Sequence, residues 1–257
     1  MATISIPTHK LRESILLGNS PEFFAQTFES LGGQQIGAEL FHPAEEGAPP
    51  LSFSTLLSGT TEGALHDAIS RADLIHLSLD FGVDYLIDNA TVLLERLLPN
   101  TFPRDTRHVL LDLTLPGVEI SVPQLQQVLD LAAILQTHTP LTLAITPQTH
   151  PAPEQKIHHL RQQLSLTEVL LVDFPKLSSA TVRGFHTFPS ATESTGQECS
   201  ENTFAALLAS YAAAQILNLP EISSLEIAYI TAQYYLSENS LPSWIEIQAQ
   251  FCHNAAK

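Results

Sequence analysis

The residues best equipped for chemistry stand together in Glu198-Cys199-Ser200-Glu201, a polar tetrad that runs into an apolar stretch reaching Ala214. A loop feeding a helix N-terminus collects unpaired backbone N–H groups and the positive end of the helix dipole, which suits an anion such as a phosphate. Loops built for that purpose carry glycines, because successive amides converge on an anion only where some residues take φ > 0. Here Gly196 stands alone, and Glu198 and Glu201 bring negative charge to the place a phosphate would occupy. Two readings stay open: an anion site with a carboxylate base, and a capped core helix with Ser200 or Thr195 at its start. A second candidate is Asp112, near the end of the apolar run His108–Thr114. Open α/β sheets hold ligands at the carboxyl ends of their strands, although an acid there can equally cap the turn that follows. The adjacent His158 and His159 point to different faces of a helix and do not suit a shared metal.

These residues need elements to position them. Phe204, Leu207, Leu208, Tyr211 and Ala212 recur at three- and four-residue spacing, which predicts a helix with one buried face. Upstream, strands are expected at Thr3–Ile6, Gln35–Phe41, Leu74–Asp80, His108–Thr114, Leu141–Thr146 and Glu168–Asp173. Helices are expected between them, from Asn19-Ser20-Pro21-Glu22 to Gly32-Gly33, and over Thr61–Ala72, Val83–Leu98, Pro123–Leu135 and Pro153–Leu164. Pro43–Pro50 reads as a surface loop. The last third reads as helices over Glu201–Leu217, Ser224–Leu236 and Pro242–His253, with Trp244 as a packing residue. Regular alternation of strand and helix predicts a mostly parallel sheet covered on both faces.

Composition narrows the function classes. The 257 residues, 44% of them hydrophobic, are enough for a single large α/β domain spanning 1–257. Eleven basic against 27 acidic residues give a formal charge of −16, which repels nucleic acid and acidic membranes. The opening residues lack a signal-peptide pattern and no apolar run suits a membrane span, so the expected location is cytoplasmic. Two cysteines, Cys199 and Cys252, fit a reducing compartment. The glycines nowhere form G-x-G, so neither a dinucleotide fingerprint nor a P-loop is present. Asn89-Ala90-Thr91 matches a glycosylation sequon inside an expected helix and reads as accidental.

The segments Ile4–His9, Gly18–Gly32, Ala72–Gly82, Leu111–Gly117, Ile145–His150, Ser224–Gln233 and Ile245–Gln250 resemble, in order and spacing, the pyridoxal kinases of the ribokinase-like superfamily. The resemblance runs weakly over nearly the whole chain and implies a three-layer αβα fold. It places Thr8 and His9 at vitamer-binding positions and Asp112 near Mg²⁺ and the phosphates of ATP. Gln148 takes the asparagine position of a P-N-x-x-E motif, with Pro151 in place of its glutamate. Glu198, Cys199, Ser200 and Glu201 align with the family's G-x-G-D anion hole, so that Glu201 takes the place of the aspartate base and both glycines are gone. Asp173 and Phe174 stand where a lysine and a threonine steady the nucleotide. Losing a donor in an anion hole costs about 10²–10³-fold in rate, and losing acid–base help about 10²–10⁴-fold. The resemblance therefore implies a pseudokinase that keeps the fold and a pyridoxal pocket with weak or lost phosphorylation. The alternatives are an active, ATP- and Mg²⁺-dependent pyridoxal kinase and a non-catalytic structural or regulatory subunit. A homodimer, or a dimer with an active homologue, is the expected assembly.

Overall fold

The computed structural model describes residues 15–18, 22–35, 51–59, 62–101, 107–115, 117–149, 154–189 and 200–254. Eight strands are described: Ile15–Gly18 (β1), Gln34–Gln35 (β2), Leu74–Ser78 (β3), His108–Leu113 (β4), Leu141–Ile145 (β5), Glu168–Asp173 (β6), Lys176–Thr181 (β7) and Phe185–Phe188 (β8). They form one sheet in the order β2-β1-β3-β4-β5-β6-β7-β8. All pairings among β1 to β6 are parallel, and β7 pairs antiparallel with β6 and β8. The α-helices are Glu22–Ser30 (α1), Phe53–Leu57 (α2), Glu62–Arg71 (α3), Val83–Val92 (α4), Val122–Leu135 (α5), Glu154–Leu164 (α6), Glu201–Ile216 (α7), Glu221–Glu238 (α8) and Trp244–Asn254 (α9). None of the described helices is long and apolar enough to cross a membrane.

The period-2 alternation of each strand divides the core into two layers. One face presents Ile75, Leu77, Val109, Leu111, Leu113, Leu141, Leu143, Ile145, Val169 and Leu171, packed with α2 to α6. The other presents Leu74, Leu110, Ala144, Leu170, Val172 and Leu177, packed with α1, α7, α8 and α9. The buried polar residues His76, Ser78, Asp112, Thr142, Glu168 and Ser179 share the parity of this second set. One side of the sheet is thus mostly aliphatic, although Ser178 is buried on it, and most of the buried polar strand residues are gathered on the other side, beneath α7.

Helix α7 departs from the one-faced pattern expected of it. Thr203 and every residue from Ala205 to Ala214 are buried, because the helix lies between the sheet, α1 and α8. Alanines at 205, 206, 209, 212, 213 and 214 let neighbours close in on all sides, as in a helix fully inside a core.

Most strand and helix expectations have described counterparts within a few residues. The strand expected at Thr3–Ile6, the loop Pro43–Pro50 and most of Gln35–Phe41 lie outside the described residues. The strand that pairs with β3 and leads towards α1 is Ile15–Gly18, with Leu16 opposite Leu74 and Gly18 opposite His76. The β7–β8 hairpin was not anticipated, since Lys176-Leu-Ser-Ser-Ala-Thr181 has the small polar composition of a loop. Its serines are tolerated inside because each finds a partner: Ser178 bonds Thr187 across the hairpin, and Ser179 donates to Glu168. Trp244 is a packing residue, as expected: it is buried, and its indole Nε1 donates to the Leu31 carbonyl. Asn89, the sequon asparagine, is buried with its Oδ1 accepting from Phe53 N at 2.7 Å.

Candidate functional site

β3 and β4 end side by side, with Ser78 opposite Asp112. Beyond β3 the chain makes a single 3₁₀ turn, Leu79–Phe81, before α4. Gly82 ends that turn at φ +95°, a conformation that L side chains rarely adopt, and its N–H returns to Leu79 O at 2.8 Å. The turn thereby presents Asp80 beside Asp112. The first turns of α1 and α7 meet the same edge of the sheet, and a cavity of about 330 Å³ lies between the four segments.

Four carboxylates line this cavity: Glu22 from α1, Asp80 and Asp112 from the strand ends, and Glu201 from α7. Phe23, Phe204 and Leu115 supply apolar wall. Tyr235 of α8 reinforces the rim, with its ring edge-on to Phe23 at 4.8 Å and its hydroxyl accepting from Asn202 at 3.3 Å. No lysine, arginine or histidine is among the described residues lining it.

Asp112 is buried and held from behind. Its Oδ1 accepts from Thr114 N at 2.8 Å and from Thr114 Oγ1 at 2.6 Å, while Oδ2 lies 3.3 Å from His76 Nε2. His76 is itself fully buried and stacks on Phe24 at 3.9 Å between centroids. Asp80 is freer, and burial together with the nearby Asp112 charge pushes its pKa up to about 6; Glu201 adds to the rise, while His76 and Ser78 oppose it. Two acids at the ends of adjacent strands thus differ in kind. Asp112 is pinned by three contacts, and the Asp80 pKa is pushed up to about 6.

The other expected site residues fall as follows. Glu201 is the first residue of α7, exposed at the cavity wall. Ser200 is the N-cap of the same helix, its Oγ accepting from Thr203 N at 3.3 Å, so its hydroxyl serves the helix start. Gln148 follows β5 and lines a separate open recess of about 420 Å³ with Gly117, Glu119 and Ile120. It is not brought into the cavity with Asp112. Thr8, His9, Glu198 and Cys199 lie outside the described residues. Thr8 and His9 also precede β1 in the chain, so they do not follow the strand that leads towards α1.

Sequence reasoning missed Asp80, Glu22 and His76. The rule that singled out Asp112, an acid at the carboxyl end of a parallel strand, applies to Asp80 as well. Glu22 had no such signal, because only the packing of α1 against α7 brings its first turn to the cavity.

The resemblance implies Mg²⁺ beside Asp112. The Asp112 oxygens already face Thr114 and His76, and no group of three or more His, Cys, Asp or Glu among the described residues is arranged to hold a metal. The residues do not form a metal centre of their own.

No protein-family model and no curated protein matches the sequence. Solved structures do. A pyridoxal kinase from Entamoeba histolytica superposes with a TM-score of 0.60 at 11% identity, over 90% of this chain and 90% of that one. Pyridoxal kinase from Bacillus subtilis, solved as an ADP complex, gives 0.54 at 11% identity over 88% and 91%. Ribokinase from Arabidopsis thaliana, complexed with ribose and ATP, gives 0.50 at 13% identity over 72% and 57%. With six strands in parallel pairings, helices on both faces and a cavity at the strand carboxyl ends, this chain has the three-layer ribokinase-like fold.

Proposed function

We propose that this chain is a pyridoxal-kinase-like pseudokinase, one that keeps a pocket for a small ring compound while handling ATP weakly or not at all. The observation that carries the reading is the lining of the cavity: four carboxylates and, among the described residues, no cation. A transferring phosphoryl group is stabilised by preorganised positive charge and N–H donors. Like charges about 4 Å apart near a protein surface repel by about 4 kcal/mol. Several such pairs would outweigh the help of a single helix N-terminus, about 0.3–1 kcal/mol. The pyridoxal kinases among the structural neighbours support the ligand class, and the Phe23 and Phe204 walls suit a planar ring.

One observation favours an active kinase instead. Glu201 stands on the first turn of α7 at the cavity wall, where a base could take a proton from a hydroxyl. The two readings separate in one experiment: ATP consumption with excess pyridoxal and Mg²⁺, run beside Glu201→Gln. The expected outcome is no turnover, with saturable pyridoxal binding seen in its near-ultraviolet absorption and weakened by His9→Ala. Turnover that Glu201→Gln abolishes would establish the kinase. Absence of both turnover and binding would leave the non-catalytic subunit, paired with itself or with an active homologue.

A further inference from the structure

At the opposite end of the sheet from the cavity lies a polar cluster that the proposed function does not use. Glu168 opens β6 and is 2% exposed. Its Oε1 accepts from the Ser179 hydroxyl of β7 and from the Tyr211 phenol of α7. Its Oε2 lies 3.0 Å from Thr142 Oγ1 of β5, and that oxygen lies 2.8 Å from Nε2 of His108 at the start of β4. The remaining charged neighbour is Glu221 of α8, which raises the carboxyl pKa further and is paired with Arg183 at 3.4 Å.

Two arrangements of protons satisfy every atom in this chain of contacts. In the first, Glu168 is a carboxylate, Thr142 donates to it, and His108 donates Nε2–H to Thr142. In the second, Glu168 is a carboxylic acid whose Oε2–H donates to Thr142, and Thr142 donates to a bare Nε2 on a His108 that carries its proton on Nδ1. The first leaves a negative charge in a buried site with three hydroxyl donors and, among the described residues, no adjacent cation. An uncompensated buried ion of that kind costs several kcal/mol. The second leaves no charge, and the two lone pairs of Oε1 are filled by Ser179 and Tyr211.

We propose that Glu168 is a neutral carboxylic acid in the folded protein, and that its proton closes a directional chain, Glu168 to Thr142 to His108, that fastens α7 to four strands of the sheet. Burial acts in the same direction on both ends of the chain, raising the Glu168 pKa and lowering that of His108 to about 4. Tyr211 is pushed well above the usual phenol range by burial and by Glu168, so it remains a donor. The consequence reaches the cavity, since the helix fastened by Tyr211 is the one whose first turn carries Ser200 and Glu201.

The test compares the wild-type chain with Glu168→Gln, whose amide keeps one acceptor and one donor in the same places. Above the ordinary glutamate value of 4.5 the unfolded chain releases this proton while the folded chain keeps it. Wild-type stability must then fall with rising pH relative to Glu168→Gln, by about tenfold in the folding constant per pH unit, until Glu168 ionises. Glu168→Gln should therefore be the more stable protein at neutral pH. A variant less stable than wild type by tenfold or more, with a difference that does not change with pH, would overturn the proposal. Nitrogen NMR of the His108 ring in the wild-type protein decides the matter even if the variant does not fold. A proton on Nδ1 with Nε2 bare at neutral pH is the expected result, and a proton on Nε2 refutes it.

Discussion

At the carboxyl ends of β3 and β4, Asp80, Asp112, Glu22 and Glu201 share a cavity open to solvent. At the start of β6, on the same face of the same sheet and under the same helix, Glu168 sits among hydroxyls with almost no exposed surface. The open end can carry several negative charges because solvent screens them, and burial together with the Asp112 charge pushes the Asp80 pKa up only to about 6. The closed end leaves almost no exposed surface through which solvent could share the charge. It meets the same residue type with three hydroxyl partners and a proton. Helix α7 joins the two regimes, with an exposed acid at its first turn and Tyr211 in its buried middle. A carboxylate's role in this protein follows from which end of the sheet holds it.

The comparison can be broken most sharply at the closed end. Replacing Glu168 by Ala leaves Ser179 and Tyr211 without their acceptor and Thr142 without its donor, and opens a cavity among four elements. The expected loss is about 3–5 kcal/mol in denaturant unfolding; a loss below 1 kcal/mol would mean that the cluster does not hold α7.

At the open end the pH dependence has the same sign as at Glu168. Asp80 has a folded pKa above its ordinary 3.8, so the folded state binds a proton more tightly than the unfolded chain, and stability falls as pH rises from 3.8 through about 6. Asp80→Asn escapes that loss. It should be more stable than wild type above pH 6. The unscreened shift is worth about 3 kcal/mol, and solvent screening of this partly exposed group reduces the expected gain to about 1.5 kcal/mol. Urea midpoints on either side of that window measure it, and an equal offset at both pH values would sink the assignment.

Smaller effects sharpen the contrast along α7. Ser200→Ala removes the N-cap acceptor of Thr203 N and should lower stability by about 1 kcal/mol. Glu201→Gln, on an exposed first-turn residue, should shift thermal stability by less than about 0.5 kcal/mol, which makes it a clean probe of turnover. A larger destabilisation would show that Glu201 supports the fold as well as lining the cavity.

Some of this was legible in the chain of residues. Near-continuous apolar runs such as Leu74–Ser78 and His108–Leu113 specify strands buried on both faces, and Asp112 near a strand end could be singled out as a candidate from the sequence. Other elements were hidden by their composition. Ser178 and Ser179 look like loop residues until Thr187 and Glu168 supply their partners. Glu168 itself reads as the polar start of a strand.

By itself the sequence determined the alternation of strands and helices from Leu74 to Asp173, the surplus of acid and the absence of glycine-rich phosphate loops, because those follow from local periodicity and composition. Only the tertiary structure decided that α7 is buried all round, that Glu22 and Asp80 join Asp112 and Glu201 at one cavity, and that Glu168 meets Thr142, Ser179 and Tyr211 in the core. The physical reason is that charge and hydrogen bonding depend on which groups become neighbours and how much water stays between them, and strand pairing sets both across dozens of residues of chain.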